Sequence, residues 1–300
     1  MKILTFSKKD YNKTILISSM GRSGSTLLNN LLNCNSDFRG IFEPFFPEKV
    51  ALAKPFIYPL YIRPENKDRK YLVPARKILT GTVKNQWTEE LNTNQSSKKL
   101  LIKDIRINLF LKWINTHFPN IEIILLMRNP FAVADSWINA NFGDGSRSRS
   151  RIIAQKELIN DFLQPFKHDY LAIDDAYLRA IFFWCIYYYV PLKQFNPKDI
   201  SIICYENLIT NLDEELRYII NNLHIEIDFK HANQVLNKPT HTTRKSSDLL
   251  KPSNTIRSWA NLISNSTIDR GYEIMSLFNM ENFYRNDGTP DKHAIVHYLQ

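Results

Sequence analysis

Cysteine is scarce in this chain of 300 residues: Cys34, Cys185 and Cys204 are odd in number and far apart. Their spacing excludes a disulfide framework and a structural zinc site. We expect a reducing compartment and a cytoplasmic protein. Long hydrophobic runs are missing too. After Met1 and Lys2, only Ile3 to Phe6 precede the polar Ser7 to Asp10, which leaves no apolar stretch of signal-peptide length. The longest apolar run, Ala180 to Leu192, is too short to span a bilayer as a helix. The 7 histidines have no cysteine near them in a ligand pattern, and we expect no metal. Acidic residues are in deficit, 30 against 39 Lys and Arg, for a net charge of +9. Such an excess concentrates anions around the molecule or only keeps it in solution, and does not choose among nucleotide, nucleic acid and acidic glycan.

What is present builds a core. Hydrophobic residues make up 44% of the chain, enough for one large domain over residues 1–300. Thr14 to Ser19 is a β-branched run that enters a Gly/Ser turn, and Leu27, Leu28, Leu31 and Leu32 follow at helical spacing. Lys99 to Lys103 reads as a buried strand and Leu109 to Phe118 as a helix closed by Pro119. Ile121 to Met127 reads as a central parallel strand. Asn129 and Pro130 supply the cap and first residue of a helix reaching Ala140. Ser201 to Tyr205 is a further strand and Leu212 to Leu223 a further helix. Strands alternating with helices predict an α/β fold of three layers, a central parallel sheet flanked by helices as in P-loop nucleoside triphosphatases.

Residues 45–98 read as an insertion, and Gly143 to Arg151 as a mobile loop that serves as a lid or contacts an anionic acceptor, or is merely solvated. Residues 287–300 read as a loose tail. The aromatic segment Trp184 to Tyr189 reads as core before it reads as a sugar-stacking platform.

The turn Gly21-Arg22-Ser23-Gly24-Ser25-Thr26 lies between strand and helix, where backbone N–H groups meet the positive end of a helix dipole. Against the pattern G-x-x-x-x-G-K-[ST], Gly24 and Thr26 match, but Ser19 stands for the first glycine and Ser25 for the lysine. The anion cradle is kept and the group that handles a γ-phosphate is absent. Arg22 restores a cation inside the loop. About a hundred residues on, Arg128 closes the predicted central strand, where ligands bind in open α/β sheets, and Ser136 follows two turns into the next helix. A guanidinium fork and a hydroxyl so placed can converge on one phosphate; the alternative is that Arg128 pairs with a carboxylate such as Asp135.

These two segments resemble the sulfotransferases that use 3′-phosphoadenosine 5′-phosphosulfate (PAPS), above all the carbohydrate and tyrosyl-protein branches. Arg22 to Leu27 looks like their 5′-phosphosulfate loop, and Arg128 to Trp137 is similar to their 3′-phosphate motif. The resemblance implies PAPS as donor and adenosine 3′,5′-bisphosphate (PAP) as product, bound by Arg22, Ser23, Gly24, Ser25, Thr26, Leu27, Arg128 and Ser136. It also implies a base on the acceptor. Glu43, in Ile41-Phe42-Glu43-Pro44-Phe45, resembles the acidic segment of those branches; the alternative is a surface or capping carboxylate. Cytosolic members place a His two residues after a Lys on the next strand, whereas here Lys103 is followed by Asp104 and Ile105. Lys103 then resembles the lysine on the 5′-phosphate and leaving group, or is a strand-end lysine in solvent. Leu27 stands where cytosolic members have an adenine-stacking Trp. Tyr205 and Glu206 look like the family's strand-end Y-E-D-L segment, and Arg257, with Arg244 and Lys245 as rivals, falls where a basic loop closes over the nucleotide.

The reading is a sulfotransferase acting on an acceptor hydroxyl, that of a carbohydrate first and of another small molecule otherwise, with no nucleic acid expected. Two alternatives also fit the sequence. One is a P-loop kinase or nucleoside triphosphatase; the other is a non-catalytic basic module that binds nucleic acid or a polyanion.

Overall fold

The computed structural model describes residues 14–140, 146–238 and 256–299. Strands β1 (Thr14–Ser19), β2 (Arg39–Phe42), β3 (Leu100–Asp104), β4 (Glu122–Met127) and β5 (Ser201–Cys204) form one sheet in the order β2-β3-β1-β4-β5. Every pairing is parallel, with Ser18 opposite Asp104 and Ser19 opposite Leu126. The carboxyl ends of all strands therefore share one edge, with β1 between β3 and β4.

The helices are α1 (Ser25–Leu32), α2 (Arg69–Leu79), α3 (Leu111–His117), α4 (Pro130–Asn139), α5 (Ser146–Ile153), α6 (Lys156–Leu158), α7 (Lys167–Ala172), α8 (Ala176–Leu192), α9 (Tyr205–Thr210), α10 (Leu212–Leu223), α11 (Phe229–Leu236), α12 (Asn265–Leu277) and α13 (Lys292–His297).

The strands are apolar on both sides because both sides are covered. Side chains alternate across a strand, and the alternation divides the core in two. Ile15, Ile17, Leu101, Ile124, Leu126 and Ile203 pack with Leu27, Leu28, Leu31 and Leu32 of α1 and with α10. Leu16, Ile41, Ile102, Leu125, Met127 and Ile202 pack with α3, α4 and α8 on the other face. Helix α8 is buried all round, and Trp184, Tyr187 and Tyr188 are core residues.

Elsewhere the structure departs from the sequence reading. The predicted helix from Leu109 opens as a 3-10 turn over Asn108–Phe110 before α3 begins. Asn108 is held from two sides there, by Ser18 and by the Tyr187 carbonyl. Gly143 to Arg151 is not loop throughout. Residues Ser146–Ile153 are helix α5, and residues 143–145 lie outside the described residues. The anchor is Ile152, one residue past the polar stretch, which is fully buried. Arg149 donates to the Ile173 carbonyl at 2.6 Å and Arg151 to the Tyr58 carbonyl at 2.5 Å. Nor is the segment from 287 loose: Asp291 caps α13, and Ile295 is buried in the core. Within 45–98, Phe45, Phe56, Ile78 and Leu79 join the same core as α8.

Candidate functional site

The site begins where β1 stops. From Ser19 the chain turns through Met20 to Gly24 and enters α1, with Arg22 at φ 71° and Gly24 at φ 88°. Glycine tolerates this left-handed conformation, and Gly24 is also held by proximity. A Cβ there would lie 2.3 Å from Cδ2 of Tyr205. As the N-cap of α1, Gly24 brings no side chain to the first-turn amides of Ser25, Thr26 and Leu27. Those donors sit at the positive end of the helix dipole.

The back of the turn is fixed by polar groups that sequence reasoning assigned only to core. Tyr188 of α8 accepts from the Met20 N–H at 3.1 Å, donates to the Leu126 carbonyl at 2.9 Å and lies 3.3 Å from Ser23 Oγ. Ser18 Oγ donates to Asn108 Oδ1 at 2.5 Å. The available signal was the run Tyr187 to Tyr189 in a mostly apolar helix, since a buried Tyr O–H finds a partner.

Arg22, Arg128 and Ser136 come from separate parts of the chain and meet at this turn. Arg22 Nε donates to Ser136 Oγ at 2.9 Å, and Arg128 donates to the Arg22 carbonyl at 3.0 Å. The Arg128 guanidinium stacks over the Tyr205 ring at 4.4 Å, and Trp184 Nε1 donates to the Arg128 carbonyl at 2.9 Å. Asp135, the alternative partner considered for Arg128, accepts from Asn139 at 2.7 Å and from Tyr177 at 3.3 Å. Asn129 caps α4 through Phe131 N–H, while its own N–H donates to Glu206 Oε1 at 2.8 Å. Burial pushes the Glu206 carboxyl up to about 7, against smaller opposing effects of the Asn129 N–H and the Arg128 charge.

A second cluster lies one strand away. Glu43 follows β2 directly and takes φ 40°, held by its N–H to the Lys103 carbonyl at 2.7 Å and by Trp87 Nε1 on its own carbonyl at 3.2 Å. Its carboxylate is buried between two cations. Lys103 Nζ is 2.5 Å from Oε1 and Arg106 is 2.6 Å from Oε2. Glu43 is thus no surface carboxylate, and Lys103 no solvent-facing strand end. Burial alone would raise the Glu43 pKa, but the charges of Lys103 and Arg106 hold it below its usual range. Arg106 lies 3.8 Å over the Phe46 ring, and its N–H donates to Asp104 Oδ1 at 2.9 Å. The Asp104 carboxyl is pushed up to about 6, chiefly by burial. Arg106 was not anticipated. Its signal was only a basic residue shortly after Lys103 at a strand end.

The remaining expected residues fare differently. The Leu27 side chain points into the α1 core, which leaves its backbone amide for a ligand. Arg257 is exposed beside Gly288, and it precedes Trp259, which stacks on Phe131 of α4 at 4.8 Å. Among the described residues no hydrogen bond joins Arg257 to the turn. Arg244 and Lys245 lie outside the described residues. Among the described residues there is no group of three potential metal ligands, and His293 and His297 form an isolated pair on α13. No helix among them is long and apolar enough to cross a membrane.

Known structures share this architecture. The sulfotransferase domain of the Synechococcus PCC 7002 olefin synthase is 18% identical, with 90% of this chain and 98% of that one covered at a TM-score of 0.51. Mouse sulfotransferase SULT7A1, solved with PAP, is 14% identical, with 92% and 90% covered at a TM-score of 0.50. At such identity these likenesses show the fold. No curated protein sequence matches the chain. The family model described as the sulfotransferase family matches residues 14–229, which hold both the β1 turn and the Glu43 cluster, and the chain belongs to this family.

Proposed function

We propose that the turn after β1 holds the 5′-phosphosulfate of PAPS, that Arg128 and Ser136 hold its 3′-phosphate, and that Glu43 deprotonates an acceptor hydroxyl, most suitably of a carbohydrate. The observation that carries this reading is the chain of contacts Ser136–Arg22–Arg128 at the mouth of the turn. It concentrates two guanidiniums and a hydroxyl beside the first-turn amides of α1, a donor set suited to two separate anionic groups. Gly24 lets the Tyr205 ring pack against the turn, and that ring in turn lies beneath the Arg128 guanidinium, which supports the placing of Arg128 at the turn.

Sulfuryl transfer breaks the S–O bond to the 5′-phosphate and forms a bond from sulfur to the acceptor oxygen. The leaving phosphate keeps the electron pair, and the acceptor proton goes to Glu43. Arg22, Lys103 and the first-turn amides of α1 oppose the charge that builds on the leaving oxygen, while the Ser23 N–H is held inside the turn by the Met20 carbonyl. The acceptor class rests on the Glu43-Pro44 segment and on half-buried Trp87 beside it, an aromatic surface that suits the C–H face of a sugar ring. Replacing Glu43 by Gln keeps the shape and removes the base. Turnover should fall by roughly 10²- to 10⁴-fold while PAP binding is retained. Equal turnover of wild type and Glu43→Gln in a sulfate-transfer assay would remove Glu43 from the mechanism.

A further inference from the structure

A carboxylate with a cation on each oxygen is charged but a poor base. Both oxygens of Glu43 are taken, by Lys103 at 2.5 Å and by Arg106 at 2.6 Å. The two cations are not equivalent. Lys103 follows Leu101 by two residues on β3, and Leu101 packs with α1, so Lys103 stands on the face of the sheet that α1 covers. It pairs in register with Ile17, just below the turn. Arg106 lies beyond the strand end, stacked on Phe46 and attracted to Asp104. Lys103 also has the Phe42 ring 4.4 Å from its Nζ, but it stands on the α1 face, where an anion at the α1 N-terminus can draw it off, whereas Arg106 is held beyond the strand end by both Phe46 and Asp104.

We propose that Glu43 is a gated base: Lys103 leaves it for the incoming phosphosulfate, and Arg106 stays as the positioning residue that aims the carboxylate at the acceptor oxygen. This rests on the reading of Glu43 as base and of the turn after β1 as donor site. Losing one of two adjacent cations weakens the stabilisation of the charged form, so Glu43 becomes a stronger base once the donor is bound. Acceptor deprotonation is thereby tied to donor occupancy, which suppresses proton abstraction in an unloaded site. Of the other titratable groups near the clamp, the Tyr58 and Tyr187 hydroxyls, held above their usual range by burial, stay neutral. Asp104, which accepts the N–H groups of Phe45 and Arg106 and is pushed up to about 6, is present in wild type and Glu43→Gln alike, so the difference between the two reads Glu43.

The test needs no turnover. PAP binding is titrated by calorimetry at about pH 5, near the usual carboxyl range, in buffers of different ionisation enthalpy. Wild type should take up more protons on binding PAP than Glu43→Gln does, and Lys103→Met should remove that excess. Equal proton uptake by wild type and Glu43→Gln overturns the gate, whether or not Lys103→Met folds. Kinetics then examine Arg106. The acid limb of kcat should lie at higher pH than that of kcat/KM, because the former reports the loaded enzyme. Arg106→Ala should lower kcat by roughly 10- to 100-fold, as a misaimed group does, and move its acid limb further up. Arg106→Lys should bring the limb back, and an unmoved limb in Arg106→Ala denies Arg106 its role. Failure to bind PAP would instead refute the donor site, and full turnover of Glu43→Gln the base. Either result is distinct from a gate that fails while both stand.

Discussion

Replacing Gly24 by Ala should damage the donor turn by two separable routes. The first is conformational: Gly24 has φ 88°, and a left-handed conformation costs an L-residue roughly 1–2 kcal/mol. The second is steric. The new Cβ would sit 2.3 Å from Cδ2 and 2.6 Å from Cε2 of Tyr205, where ordinary contact is about 3.5–4.0 Å. The ring must move by more than an ångström, and overpacking of this kind costs typically about 1–3 kcal/mol. Together these give about 2–5 kcal/mol, and at roughly 2–4 °C per kcal/mol the melting temperature should drop by about 4–20 °C. Tyr205 also lies beneath Arg128 at 4.4 Å, so the displaced ring disturbs the proposed 3′-phosphate grip. Loss of one charge-assisted hydrogen bond, about 1.5–3 kcal/mol, would weaken PAP binding by roughly 10- to 100-fold. Thermal denaturation and calorimetric titration read the two effects. Gly24→Ala combined with Tyr205→Leu should recover the steric part of the melting loss and leave the conformational part. A Gly24→Ala protein with unchanged melting temperature and PAP affinity would refute the close-approach argument.

Two further outcomes concern the scaffold behind the site. Tyr188→Phe strips the Met20 N–H of its acceptor and the Leu126 carbonyl of a donor, so urea denaturation should show a loss of about 1–3 kcal/mol; an unchanged midpoint counts against Tyr188 as the turn's support. Glu206, at about 7 in the fold against an ordinary 4.5, stays protonated in the native state where the unfolded chain ionises. Its stabilising contribution is complete below the unfolded value and is lost as pH rises through 7, on the order of 3 kcal/mol in all. Glu206→Gln should flatten the fall in melting temperature between about pH 5 and 7, and the same slope in both proteins would contradict the assignment.

The parts of this protein legible in the sequence are those governed by short-range rules. Thr14 to Ser19 and Ile121 to Met127 are apolar runs flanked by turn residues, and they became β1 and β4. Leu212 to Leu223 carries a complete amphipathic period and became α10. Asn129 and Pro130 announced α4 through capping chemistry that acts within one turn. What stayed hidden depends on contacts across long stretches of chain. Arg106 is an ordinary basic residue until Glu43 is placed 63 positions away. Tyr188 is a core aromatic until β1 brings Met20 to its hydroxyl, 168 positions distant. The helix over Ser146–Ile153 was masked by its Ser/Arg composition. Its order comes from one buried isoleucine and from arginines reaching carbonyls elsewhere in the fold.

The most direct test of the donor site compares the affinities of PAP and adenosine 5′-phosphate for wild type and Arg128→Ala by calorimetry. Wild type should prefer PAP by roughly 10- to 100-fold, the worth of the charge-assisted bonds to one further phosphate. In Arg128→Ala that preference should collapse, with adenosine 5′-phosphate binding little changed. A preference of the same size in both proteins, or none in wild type, would contradict the placement of the 3′-phosphate at Arg128 and Ser136.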